Sequence, residues 1–117
     1  NIKSQNFLGH SDIAPKRKKD PGEKFPWKYL SKHKVGIWYS IPKNDLKLRN
    51  IEATSNEKRL FFLYLKKIGY CLKNKHSEYS IYIIKAFQRR YRPKIINGKI
   101  DKECLKIAKN LIKLGLN

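Results

Sequence analysis

His10 and Asp20 stand ten residues apart in one run: Gly9-His10-Ser11-Asp12-Ile13-Ala14-Pro15, then Lys16-Arg17-Lys18-Lys19, then Asp20-Pro21-Gly22. The imidazole of the first and the carboxylate of the second are both groups that zinc accepts. A hydrolytic zinc site takes about three such ligands and keeps water in the fourth position. Bound zinc lowers the pKa of that water and polarises a scissile carbonyl. The negative charge that then develops on the carbonyl oxygen calls for a cation nearby, and the basic run offers several. Each residue also has a plainer reading. Asp20 before Pro21-Gly22 fits a turn, a run of basic residues is usually solvated, and a single His near a chain end is more often an ordinary surface or core residue.

The elements that would hold these groups follow from the local sequence. Pro15, Pro21 and Gly22 punctuate the run, so it reads as an ordered loop rather than a helix. Asn1 to Leu8 reads as the tail of a strand entering that loop, and a short helix is expected after it. Residues 39–56 are irregular in pattern and read as a connecting segment. Three amphipathic helices are expected beyond it. The first runs from about Glu57 to Ile68, capped by Ser55 or Asn56 and carrying Phe61, Leu65 and Ile68 on one face. The second covers about Ser80 to Tyr91, with Ile83, Ile84, Phe87 and Tyr91 facing inward and Pro93 ending it. The third is capped or opened by Asp101 and carries the stripe Leu105, Ala108, Leu111 and Ile112.

The run from Gly9 to Pro21-Gly22, continued by Phe25-Pro26-Trp27, closely resembles the zinc-binding and catalytic loop of the type-2 N-acetylmuramoyl-L-alanine amidases. The resemblance implies that His10 and Asp20 are zinc ligands and that Lys18 stabilises the oxyanion. The bond cleaved would be the amide between the lactyl group of N-acetylmuramic acid and L-alanine. Asp12 belongs to the signature and is read as fixing loop geometry rather than binding metal. Lys16 stands where the family usually has Gly, and Lys19 where a small polar residue is common; neither change removes a chemical group. The family also carries a second His ligand and a catalytic Glu well upstream. The nine residues before His10 contain no His, Glu or Asp, and the chain contains no Met. The expectation is a C-terminal portion of a longer amidase, inactive alone, with the missing N-terminal segment as a candidate partner.

A second resemblance lies in Gly69-Tyr70, Lys85-Ala86-Phe87-Gln88-Arg89-Arg90-Tyr91-Arg92-Pro93 and Asn97-Gly98-Lys99-Ile100-Asp101. These look like the small three-helix peptidoglycan-binding domain, with Asn97 in place of the usual Asp. Phe87, Tyr91 and the leucines are expected in the core. Gln88, Arg89, Arg90 and Arg92 are read as solvated helix surface, with contact to stem-peptide carboxylates as the alternative.

The predicted fold is therefore mainly α. A remnant of an α/β amidase domain at 1–38 is followed by a linker at 39–56 and a peptidoglycan-binding-like helical domain at 57–114. The 117 residues carry 28 Lys and Arg against 9 Asp and Glu, a net charge of +19, which favours polyanionic partners. No recognised nucleic-acid motif accompanies that charge, so a specific nucleic-acid partner is not expected. No apolar stretch is long enough to span a bilayer. Cys71 and Cys104 are read as free thiols. The expected function is a zinc-dependent amidase acting on peptidoglycan or muropeptides in the bacterial envelope, periplasm or outer membrane. The alternatives are a non-catalytic peptidoglycan-binding protein and, behind it, a basic nucleic-acid binder.

Overall fold

Apolar residues at helical spacing close three long helices on one another in the computed structural model of the chain. The structure describes residues 8–13, 19, 22–70, 72 and 77–115, and of residues 10, 11, 43, 44, 46 and 77–79 the backbone only. In chain order the elements are α1 (His10–Ile13), α2 (Trp27–Ser31), a 3-10 helix (Lys43–Asn50), α3 (Ser55–Ile68), α4 (Ser77–Tyr91) and α5 (Lys102–Gly115). Among the described residues the chain is helical, and its one β interaction is an isolated antiparallel bridge between Glu52 and Asp101. The expected strand tail falls on residues 1–7, outside the described residues, apart from Leu8.

α3 starts at Ser55, two residues earlier than expected. Thr54 is the cap: its hydroxyl accepts from Glu57 N–H at 3.2 Å, while the Glu57 carboxylate accepts from Thr54 N–H at 2.9 Å. This reciprocal pair is a capping box, and the backbone hydrogen bond from Thr54 holds the Glu57 carboxyl below its ordinary pKa. Gly69 ends the helix at a φ of 125°. There its N–H and that of Tyr70 both reach back to the Leu65 carbonyl, at 3.0 and 2.9 Å, and the chain turns Tyr70 into the interior.

Phe61 and Leu65 of α3, Ile83, Ile84, Ala86, Phe87 and Tyr91 of α4, and Ile107, Ala108 and Leu111 of α5 form the core. The expected α4 stripe is the buried one. In α5 the stripe is rotated: Cys104, Ile107, Ala108 and Leu111 are buried, whereas Leu105 and Ile112 are half-buried. Two interleaved apolar stripes satisfy the same period in this helix, and packing against α3 selects one of them. Residues 43–50, read as irregular, form a 3-10 helix that packs on α5. Arg49 bonds Glu103 at 3.0 Å, Asp45 pairs with Lys106, and Lys102 N–H reaches the Ile51 carbonyl at 2.9 Å. Among the described helices none is long and apolar enough to cross a membrane.

Candidate functional site

The structure places His10 at the start of α1, in a single helical turn where the sequence suggested a loop. The His10 side chain, Lys18 and Asp20 lie outside the described residues. An imidazole and a carboxylate suit zinc. Among the described residues, however, no group of three His, Cys, Asp or Glu side chains could hold a metal ion. What the structure does define is how the first part of this loop is fastened.

The fastening is Asp12. Its N–H donates to the Gly9 carbonyl at 3.1 Å and its carboxylate Oδ2 accepts from Gly9 N–H at 3.0 Å, closing a small reciprocal ring around His10 and Ser11. Two further donors arrive from far along the chain. Tyr70 Oη donates to Oδ1 at 2.5 Å, and Arg90 Nη1 donates to Oδ2 at 2.8 Å. Asp12 is 5 % exposed and Arg90 3 %. A buried carboxylate is tolerable only with such partners, since desolvating an unpaired charge costs several kcal/mol or more. Burial, and then the Asp12 charge, push the Tyr70 phenol well above its ordinary pKa. Tyr70 therefore acts as a hydrogen-bond donor throughout the physiological range.

Arg90 is itself held from a second direction. Its guanidinium lies over the Trp27 ring, 3.8 Å from the centroid, and Trp27 is the buried first residue of α2, tilted against Phe25 at 4.8 Å. A cation over an indole face is an attractive geometry, strongest where water is excluded. Gly36, at a φ of 79°, closes the arrangement: a Cβ there would meet Trp27 at 3.2 Å and Arg90 Nη2 at 3.3 Å. Asp12 and Trp27, both signature residues, thus converge on one arginine of the AFQRRY helix.

Gln88, Arg90 and Arg92 do not form the solvated surface that was expected; all three are buried. Arg90 belongs to the cluster just described. Arg92, 2 % exposed, donates from Nη1 to Asp101 Oδ2 at 2.5 Å and Glu103 Oε1 at 3.2 Å, tying the end of α4 to the start of α5. Gln88 is fully buried. Its carbonyl oxygen accepts from Asn97 N–H at 3.0 Å and Gly98 N–H at 2.9 Å, and its amide nitrogen donates to the Lys99 carbonyl at 2.9 Å. It clasps the turn that leads into α5. These three side chains serve the fold rather than a ligand, and Arg89 alone of the group is half-buried. Asp101 caps α5 through a 2.9 Å bond from Cys104 N–H, as expected. Cys104 is a free, buried thiol whose pKa burial pushes up to about 11; Cys71 lies outside the described residues.

No family model matches the chain. The chain is 34% identical over 113 residues to the N-acetylmuramoyl-L-alanine amidase AmiD of Escherichia coli (strain K12), a match covering 95% of the chain and 41% of AmiD. The solved complex of AmiD from E. coli with anhydro-N-acetylmuramic acid-L-Ala-D-gamma-Glu-L-Lys has a TM-score of 0.80 at 33% identity. That match covers 97% of this chain and 45% of that one. AmpDH3 from Pseudomonas aeruginosa gives a TM-score of 0.79 at 30% identity, over 97% of this chain and 46% of that one. AmpDH3 is also solved in complex with anhydromuramic pentapeptide. The chain spans less than half the length of each of these proteins and corresponds to the C-terminal part of the amidase structures. Over nearly all of its length the chain is similar, in sequence and in fold, to the N-acetylmuramoyl-L-alanine amidase AmiD and to AmpDH3.

Proposed function

We propose that the chain is part of a zinc-dependent N-acetylmuramoyl-L-alanine amidase that hydrolyses the amide between N-acetylmuramic acid and L-alanine in peptidoglycan or muropeptides. The observation that carries this reading is the match to AmiD across 95% of the chain, loop and helices together. In this reading His10 and Asp20 hold the metal, which when bound supplies Lewis-acid activation of water and of the scissile carbonyl. Lys18 holds an ammonium beside the carbonyl oxygen as negative charge develops there. Residues 1–38 belong to the catalytic part, 39–56 connect, and 57–114 form a helical peptidoglycan-binding-like domain. The site of action is the bacterial envelope, where such polymers and their fragments occur.

His10 and Asp20 make two ligands, and a hydrolytic zinc site takes about three. The 117 residues alone are therefore expected to release no stem peptide. Mixing the chain with an N-terminal amidase segment that carries a His ligand and a Glu is the direct test. Zinc-dependent release of stem peptides that Lys18→Ala and Asp20→Ala abolish supports the reading. No release from a folded, zinc-loaded mixture contradicts it, and sedimentation with peptidoglycan without cleavage would favour a purely binding role.

A further inference from the structure

We infer that Arg90 and Tyr70 are positioning residues for the His10 segment: through Asp12, the long helices hold residues 9–13 in their working shape. The inference deepens the amidase reading and, in what it says of catalysis, rests on it; the fastening itself does not.

Three observations carry it. First, α1 has four residues, far too few to be stable as a helix without outside support. Second, the support is visible and comes from elsewhere in the chain. Asp12 takes one hydrogen bond from within the turn and two from residues 58 and 78 positions away. Third, those anchors are themselves immobilised. Arg90 lies over buried Trp27 with Gly36 closed against it, and Tyr70 follows directly on the Gly69 turn and contacts Phe87 in the core. A guanidinium with one permitted place gives the carboxylate one permitted place, and the backbone of His10 lies in the same turn. Catalytic groups need placing to within roughly half an ångström, which supporting residues supply. The helical half would then be a requirement of the loop as well as a wall-binding module.

Amide hydrogen exchange read by mass spectrometry on the intact chain tests this. Tyr70→Phe removes one hydroxyl and leaves the ring in the core; Arg90→Met removes the charge. Both are expected to speed exchange of residues 9–13 by about tenfold or more, the loss of a hydrogen bond to a charged group, while exchange within α5 stays near its original rate. Leu111→Ala, a core truncation in α5, is expected to speed α5 and so calibrates a general loss of stability. Unchanged exchange at 9–13 in both variants overturns the inference, as does equal acceleration at 9–13 and in α5. Zinc added to the unaltered chain mixed with the N-terminal segment that carries the further His ligand tests the ligand reading separately. If zinc gives no added protection there while Tyr70→Phe still loosens the segment, the fastening stands and the metal assignment falls.

Discussion

Asp12 commits both carboxylate oxygens to structure, accepting from Gly9, Arg90 and Tyr70 while remaining out of water. Three hydrogen bonds from within the chain engage it, in keeping with its reading as a geometry-fixing member of the signature. Gly36 is the counterpart on the other side of Arg90. Its φ of 79° disfavours any side chain, and its missing Cβ leaves room for the Trp27 ring and the Arg90 guanidinium against the backbone. Gly36→Ala is expected to cost about 1–3 kcal/mol in urea unfolding, from backbone strain added to the close contact. A variant as stable as the original would show that the Trp27–Arg90 stack can yield.

At the scale of the element, Gln88 explains why a helix with this pattern precedes this turn. Ala86 and Phe87 fill the core, and Gln88 holds two turn amides and the Lys99 carbonyl. Gln88→Leu keeps the bulk and removes the hydrogen bonds. Thermal unfolding should register a loss of about 1–3 kcal/mol, and a neutral result would mean that water satisfies the turn equally well. The elements were largely legible in advance because local periodicity encodes them. Ile83, Ile84, Phe87 and Tyr91 recur at helical spacing and are buried together. The α3 cap was also legible in principle. Thr54, Ser55 and Asn56 all cap helices, but only Thr54 has Glu57 three positions on, the spacing of a reciprocal box. The α5 stripe was ambiguous because two registers fit. The fates of Arg90, Arg92 and Gln88 were hidden, since a charge on a helix looks solvated until its partner is known. The partner of Arg90 lies 78 residues away.

Over the whole molecule, a chain of net charge +19 buries several ionisable groups, and their direction sets its response to pH. Burial raises the pKa of Cys104 from 9.0 to about 11, and it also raises Tyr70 and Tyr91 above 10.0. The folded state thus favours the protonated, neutral form of each. Their contribution is complete below the unfolded pKa and is lost as pH climbs through the folded one. Stability is expected to fall steeply from about pH 9 upward, Cys104 alone accounting for about 2–3 kcal/mol by pH 11. Chemical denaturation at stepped pH checks this, and a flat profile up to pH 11 would mean that these groups are hydrated. For the same reason Cys104 should resist alkylation in the native state at neutral pH.

The most direct measurement of the central claim, that the signature loop and the helical half are joined through one buried ion pair, is a double-mutant cycle. It compares urea unfolding of the original chain, Asp12→Ala, Arg90→Met and the combined variant. Each single change leaves a buried charge without its partner and is expected to cost about 3–5 kcal/mol. The double variant should cost little more than either single, giving a coupling of about 2–4 kcal/mol. Additive losses, with a coupling below about 0.5 kcal/mol, would contradict the account.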